Sequence, residues 1–265
     1  MSPPPQGRRG VHLVLFFIQF LFATMPVAGK RVLEEFPPLA TMGLRVTFAA
    51  VIFVAFAAWR GLFFVPAPRD LARLALYSLF GIMLNQTLFL EGLSRTTAAN
   101  AAILITTIPV FTVLVARLLG RERIGFLRGI GLFMALTGAL LVTGVERFSL
   151  QSSFALGNLL VLLNCLCYGT YLVLSRDILV RMNAVNVVAW LLIFGAIGVQ
   201  PLTLGPALAQ LRSGGSAGTW LGLAWIVLGG TLLAYFLNAW ALRRVAASVV
   251  GAYTNLQPVL AVLLA

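Results

Sequence analysis

The 265 residues are 60% hydrophobic and 10% charged, with a mean hydropathy of +0.99. A soluble globular domain carries roughly 25% charged residues, so this composition excludes one and requires most of the chain to meet lipid. The net charge of +12 rests on 19 cationic residues, all arginine except Lys30, gathered at the ends of apolar stretches. That placement fits membrane topology and excludes a nucleic-acid surface.

A helix that crosses the hydrocarbon core needs about 20 mostly apolar residues. Such runs predict helix one over 11–29, two over 38–59, three over 70–92, four over 97–119, five over 125–145, six over 155–175, seven over 184–205, eight over 218–241 and nine over 246–265. The polar breaks between them are short, so no extramembrane catalytic domain is expected.

Helix one follows Arg8 and Arg9, but Pro26 and Lys30 come after it without a small-residue cleavage pattern, so it reads as a retained span and not a signal peptide. Gln19 and Pro26, seven apart, share one of its faces. Helix two holds Arg45 about 10 Å from its outer end at 1.5 Å per residue. Arg45 either pairs with Glu91, near the outer end of helix three, or snorkels to the headgroups; a proton-coupling role for Glu91 is the sharper alternative. Asn85 and Gln86 sit in the middle of helix three, and Asn100, Thr106 and Thr107 lie on helix four ahead of Pro109. Helix five contributes Gly129, Gly131 and Gly138, which close packing explains without any site.

On helix six, Asn164, Tyr168, Tyr171 and Ser175 fall 0, 4, 7 and 11 residues apart and form one stripe. Helix eight repeats the pattern with Thr231, Tyr235 and Asn238, and helix nine places Tyr253 and Gln257 one turn apart before Pro258. Such groups either replace the hydration of a solute or bond between helices at about 0.6 to 2 kcal/mol each. Pro109 and Pro258 each remove a backbone donor, making a kink or a gating hinge. Cys165 and Cys167 point apart on a helix, so no disulfide or metal site is implied.

The chain repeats itself. LSRTTAANAAILITTIPVFTVLVA, from Leu93, aligns without gaps to LRRVAASVVGAYTNLQPVLAVLLA, from Leu242, with Arg95 over Arg244 and Pro109 over Pro258. The same register puts Gly81 over Gly230, and a slightly smaller offset puts Lys30 over Arg176. Helices one to five (residues 1–150) are then one repeat and helices six onward (151–265) a second. An odd number of helices per repeat inverts the second, the arrangement that yields inward-open and outward-open states. The second copy stops at Ala265, the counterpart of Ala116 in mid-helix, which predicts a tenth helix absent from this sequence. The fold class expected is an all-α integral membrane protein built as an inverted repeat of two five-helix halves, with nine helices present.

With the N-terminus inside, Arg8, Arg9, Arg60, Arg69, Arg73, Arg117, Arg121, Arg123, Arg128, Arg176, Arg181, Arg243 and Arg244 fall on the inner side. Lys30, Arg31, Arg95, Arg147 and Arg212 fall on the outer side. The excess of cations inside predicts a cytoplasmic N-terminus.

The segment EGLSRTTAANAAILITTIPVFTVLVARLLGRERIGFLRGIGLFMALTGALLVTG resembles the EamA branch of the drug/metabolite transporter superfamily. The likeness lies in the small-residue entry to helix four, the proline in mid-helix, Glu122 near the turn into helix five with one arginine inserted before it, and the glycine-rich fifth helix. TNLQPVLAVLL carries it in the second copy. The resemblance implies a ten-helix secondary transporter, often an exporter of amino acids or other metabolites, in the bacterial inner membrane. Its partners would be a small-molecule solute and the lipid bilayer, with a homodimer allowed, no nucleic acid and no cofactor.

The expected pathway residues are Gln19, Asn85, Gln86, Asn100, Thr107, Asn164, Tyr168, Tyr171, Tyr235, Asn238, Tyr253 and Gln257. The rival classes are weaker. An enzyme needs a catalytic constellation, and the chain has a single His, His12, no HExxH and no phosphate-binding GxxxxGK[ST]. A channel or a structural membrane protein leaves the inverted repeat unexplained. A sugar-phosphate or nucleotide-sugar-like anion exchanger needs cations along the cavity, and Arg45 alone is deep enough, which favours an uncharged or zwitterionic solute.

Overall fold

The structure is a computed structural model that describes residues 5–122, 125, 129–131, 133, 134, 137 and 152–264. Most of predicted helix five, with Gly138, lies outside the described residues. Seven helical spans among them are long and apolar enough to cross a bilayer: Gly10–Leu33, Pro38–Trp59, Pro68–Arg95, Ala98–Leu118, Ser153–Arg181, Ala184–Ser213 and Ala217–Leu242. They are helices one to four and six to eight. Helices six and seven run past their predicted ends because the flanking polar residues still form backbone hydrogen bonds at the interface.

Helix nine differs from expectation. It is two shorter helices, Ala247–Tyr253 and Leu256–Leu264, separated by a turn at Thr254 and Asn255. Helix four breaks in the same way, into Ala98–Ile105 and Ile108–Leu118. Pro109 is the second residue of the helix after its break, and Pro258 the third. Each lacks the N–H that would have carried the ladder through, and amides such as Thr107 N and Gln257 N turn to carbonyls three residues back. Helix one also bends at Thr24, with Pro26 in the first turn of Met25–Leu33.

Contacts between connecting segments settle the topology. Glu35, between helices one and two, accepts hydrogen bonds from Ser216 N at 2.8 Å and Ser216 Oγ at 2.5 Å, so the one–two and seven–eight turns share an end of the bundle. At the opposite end, Arg181 of the six–seven turn pairs with Asp70 of the two–three turn at 3.1 Å. There too Glu122, after helix four, accepts from Ser248 Oγ and from Ser248 N at the start of helix nine. Helix one therefore ends where helix six begins, and the two halves insert in opposite senses.

The halves also pack reciprocally. Helix three rests on helix six through Gly81, where a methyl group would lie 2.5 Å from Tyr171 Cδ2. Helix eight rests on helix one through Gly230, where it would overlap Met25 Sδ. Gly81 is the counterpart of Gly230, and Met25, by the offset that sets Lys30 over Arg176, is the counterpart of Tyr171. Around both glycines the helix widens to π turns, Leu79–Met83 and Ile226–Leu233, which lets the backbones approach closely.

Candidate functional site

A cavity lies among the helices, lined by Phe22, Met25, Arg45, Asn85, Gln86, Phe89, Ile105, Ile108, Asn164, Tyr168, Tyr235 and Gln257. The lining residues come from both halves. Phe22 is the counterpart of Tyr168, Gln86 of Tyr235 and Ile108 of Gln257, and all six face the same space.

The polar groups are held rigidly from behind. Tyr235 donates its hydroxyl proton to Gly81 O at 2.6 Å, so its oxygen can only accept from Gln86 Nε2, at 3.1 Å. That fixes the amide orientation and leaves Gln86 Oε1 buried without a partner among the described residues. Asn238 Nδ2 donates to Tyr168 OH, which leaves the tyrosine its proton to give. Asn85 and Asn164 exchange bonds across helices three and six, each amide donating to the other's backbone carbonyl at 3.3 and 2.8 Å. Gln257 Nε2 donates to Gln19 Oε1 at 2.7 Å and ties helix nine to helix one.

Arg45 corrects the sequence expectation. It neither pairs with Glu91 nor snorkels: its side chain is buried, with the residue 5% exposed, and its Nε donates to Thr231 Oγ1 at 2.7 Å. Glu91 pairs with Arg95, one turn on, at 3.1 Å. Helix two packs on helix seven and on the part of helix eight that holds Thr231, and Arg45 projects toward that threonine inside the bundle, away from the lipid.

Other expected pathway residues stand outside the cavity lining. Tyr171 is fully buried beneath Gly81, where the close approach of helix three seals it off. Asn100 belongs to a polar cluster with Thr96 and Asn158 at the end of helices four and six, with bonds of 3.1 and 3.2 Å. Thr107 turns its hydroxyl back to Leu104 O at 2.7 Å in the helix break. Tyr253, expected one turn from Gln257, is sent elsewhere because the break at Thr254 and Asn255 changes the register. It stacks on His12, with its hydroxyl 2.7 Å from Nδ1. Asn238 lies behind Tyr168. Phe22, Met25, Phe89, Ile105 and Ile108 escaped sequence reasoning because an apolar wall has no signature in an apolar helix, although the repeat could have pointed to Phe22 through Tyr168.

The profile of the EamA-like transporter family matches residues 9–144 and again 155–265. The uncharacterized transporter YetK of Bacillus subtilis is 24% identical over 261 residues, 96% of this chain and 78% of the relative. The uncharacterized inner membrane transporter YedA of Escherichia coli is 26% identical over 260 residues, 94% and 80%. A protein of known crystal structure shares the fold with a TM-score of 0.73 at 21% identity, over 97% of this chain and 87% of that one.

Proposed function

This chain belongs to the EamA-like transporter family, a multi-pass membrane protein, and on that footing we propose that it carries a small amphipathic organic solute, an amino acid or similar uncharged or zwitterionic metabolite, through the central cavity by alternating access. The observation that carries the reading is the lining of one cavity by three counterpart pairs from two inverted halves. An inverted repeat whose halves share a central site can expose that site to either face by exchanging their conformations. Amides and tyrosine hydroxyls would replace solute hydration, and Phe22, Phe89, Ile105 and Ile108 would cover an apolar body.

Export from the cytoplasm across the inner membrane, with the N-terminus inside, is part of the proposal; the arginine excess on the inner turns and the inner-membrane name of YedA support it. Exchange of doubly charged sugar phosphates has Arg45 in its favour but lacks a second cation in the described lining.

Solute flux in proteoliposomes tests the proposal, with a panel of amino acids and Tyr168→Ala and Asn238→Ala beside the parent. Saturable flux that both changes impair, with folding retained, supports a carrier with this cavity. A folded protein that moves no solute in the panel or in wider chemical classes overturns it.

A further inference from the structure

We infer that Arg45 reads a carboxylate on the solute and Gln86 an ammonium, which narrows the carried class to amino monocarboxylates with apolar side chains; this rests on the carrier reading above. A guanidinium is always charged and offers five donors in a planar fork suited to a carboxylate. In Arg45 only Nε is engaged, and Thr231 Oγ1 is its acceptor because the threonine proton goes to Ile226 O at 2.9 Å. Its terminal amino groups have no hydrogen bond, and no carboxylate pairs with it, among the described residues. A buried cation without a counter-charge is costly in a membrane interior and faces a site that supplies one.

Gln86 complements it in sign. Its Oε1, fixed by the Tyr235 bond and without a partner among the described residues, is a buried acceptor on a residue that lines the same cavity. The cavity is also polarised by the failure of symmetry at helix two. Thr231 has Ile82 as its counterpart, and Ile82 packs on Gly195 of helix seven, so where the first half presents the Arg45 charge to Thr231 the second half presents a bare glycine to Ile82. One cation on one side admits one anionic group in one orientation.

The test uses matched trios built on L-leucine, L-phenylalanine and L-methionine: the free amino acid, its amide without the carboxylate, and the corresponding acid without the amine. Each is scored by thermal stabilisation of the full purified chain and by competition with flux. The free amino acid should bind about 10- to 100-fold more tightly than its amide. Arg45→Gln should bring the two within about threefold, whereas Arg45→Lys retains part of the preference. Gln86→Leu should remove the advantage of the amino acid over the amine-free acid. Amides that bind the parent as well as the acids, or a parent that binds none of the acids, overturn the inference, and this arm needs no variant to fold. Flux of an uncharged solute alone would overturn it while the carrier reading stands. Stabilisation by amino acids that depends on Arg45, without flux of any solute, would uphold the site and overturn the carrier.

Discussion

Phe22 and Tyr168 meet edge to face with ring centroids 6.2 Å apart and planes at 89°, and each occupies in its own half the position that the other occupies in the second. They differ by one hydroxyl. The Tyr168 oxygen is served by Asn238, whose counterpart is Phe89, so the first half has no amide to serve a hydroxyl at position 22.

Tyr168→Phe should therefore cost about 1 to 3 kcal/mol of stability, since it strands the Asn238 amide in a buried site. In Tyr168→Phe/Asn238→Leu most of that loss should return, because both polar partners are gone. Denaturation of the single and double variants in one detergent checks the cycle; additive losses would remove the coupling.

Gly81 and Gly230 are symmetry mates with different neighbours. Gly81→Val should destabilise by about 1 to 3 kcal/mol, since the Tyr171 ring is rigid and fully buried. Gly230→Val should cost less stability and more transport, because flexible Met25 can swing aside but only into the cavity it lines. Thermal melts and flux measured on both variants separate the two effects.

Pro109→Ala and Pro258→Ala each restore a backbone donor at a broken helix. Continuous helices should keep or raise the melting temperature while slowing turnover. Flux equal to the parent's in both variants would reduce the prolines to shaping residues.

The Ser216 hydroxyl and amide hold the Glu35 carboxyl below its ordinary value of 4.5. A depressed folded value means that the stabilisation is complete above the unfolded value and disappears as pH falls through the folded one. Glu35→Gln should therefore lower the melting temperature at pH 7 and leave it unchanged near pH 2, where the parent carboxyl is protonated as well. An equal difference at both pH values would assign the effect to shape.

Seven of the nine expected spans and the inversion were legible from the chain because hydrocarbon admits few backbone solutions: long apolar runs become helices, and an odd repeat flips the second copy. The offsets that set Gly81 over Gly230 and Lys30 over Arg176 already contained the counterpart pairs that line the cavity. The stripe on helix six identified a face. It could not say that helix three would cover Tyr171 and leave Asn164 and Tyr168 open, since periodicity specifies a direction around one helix and nothing about what lies across from it. Tyr253 and Gln257 were parted by a break whose effect on register no spacing rule contains. For Arg45 the sequence determined depth and charge, and the tertiary structure alone decided the partner. Glu91 and Thr231 were both at plausible depth, and the choice fell to the packing of helix eight against helix two, which brings a hydroxyl to 2.7 Å and leaves the carboxylate to Arg95.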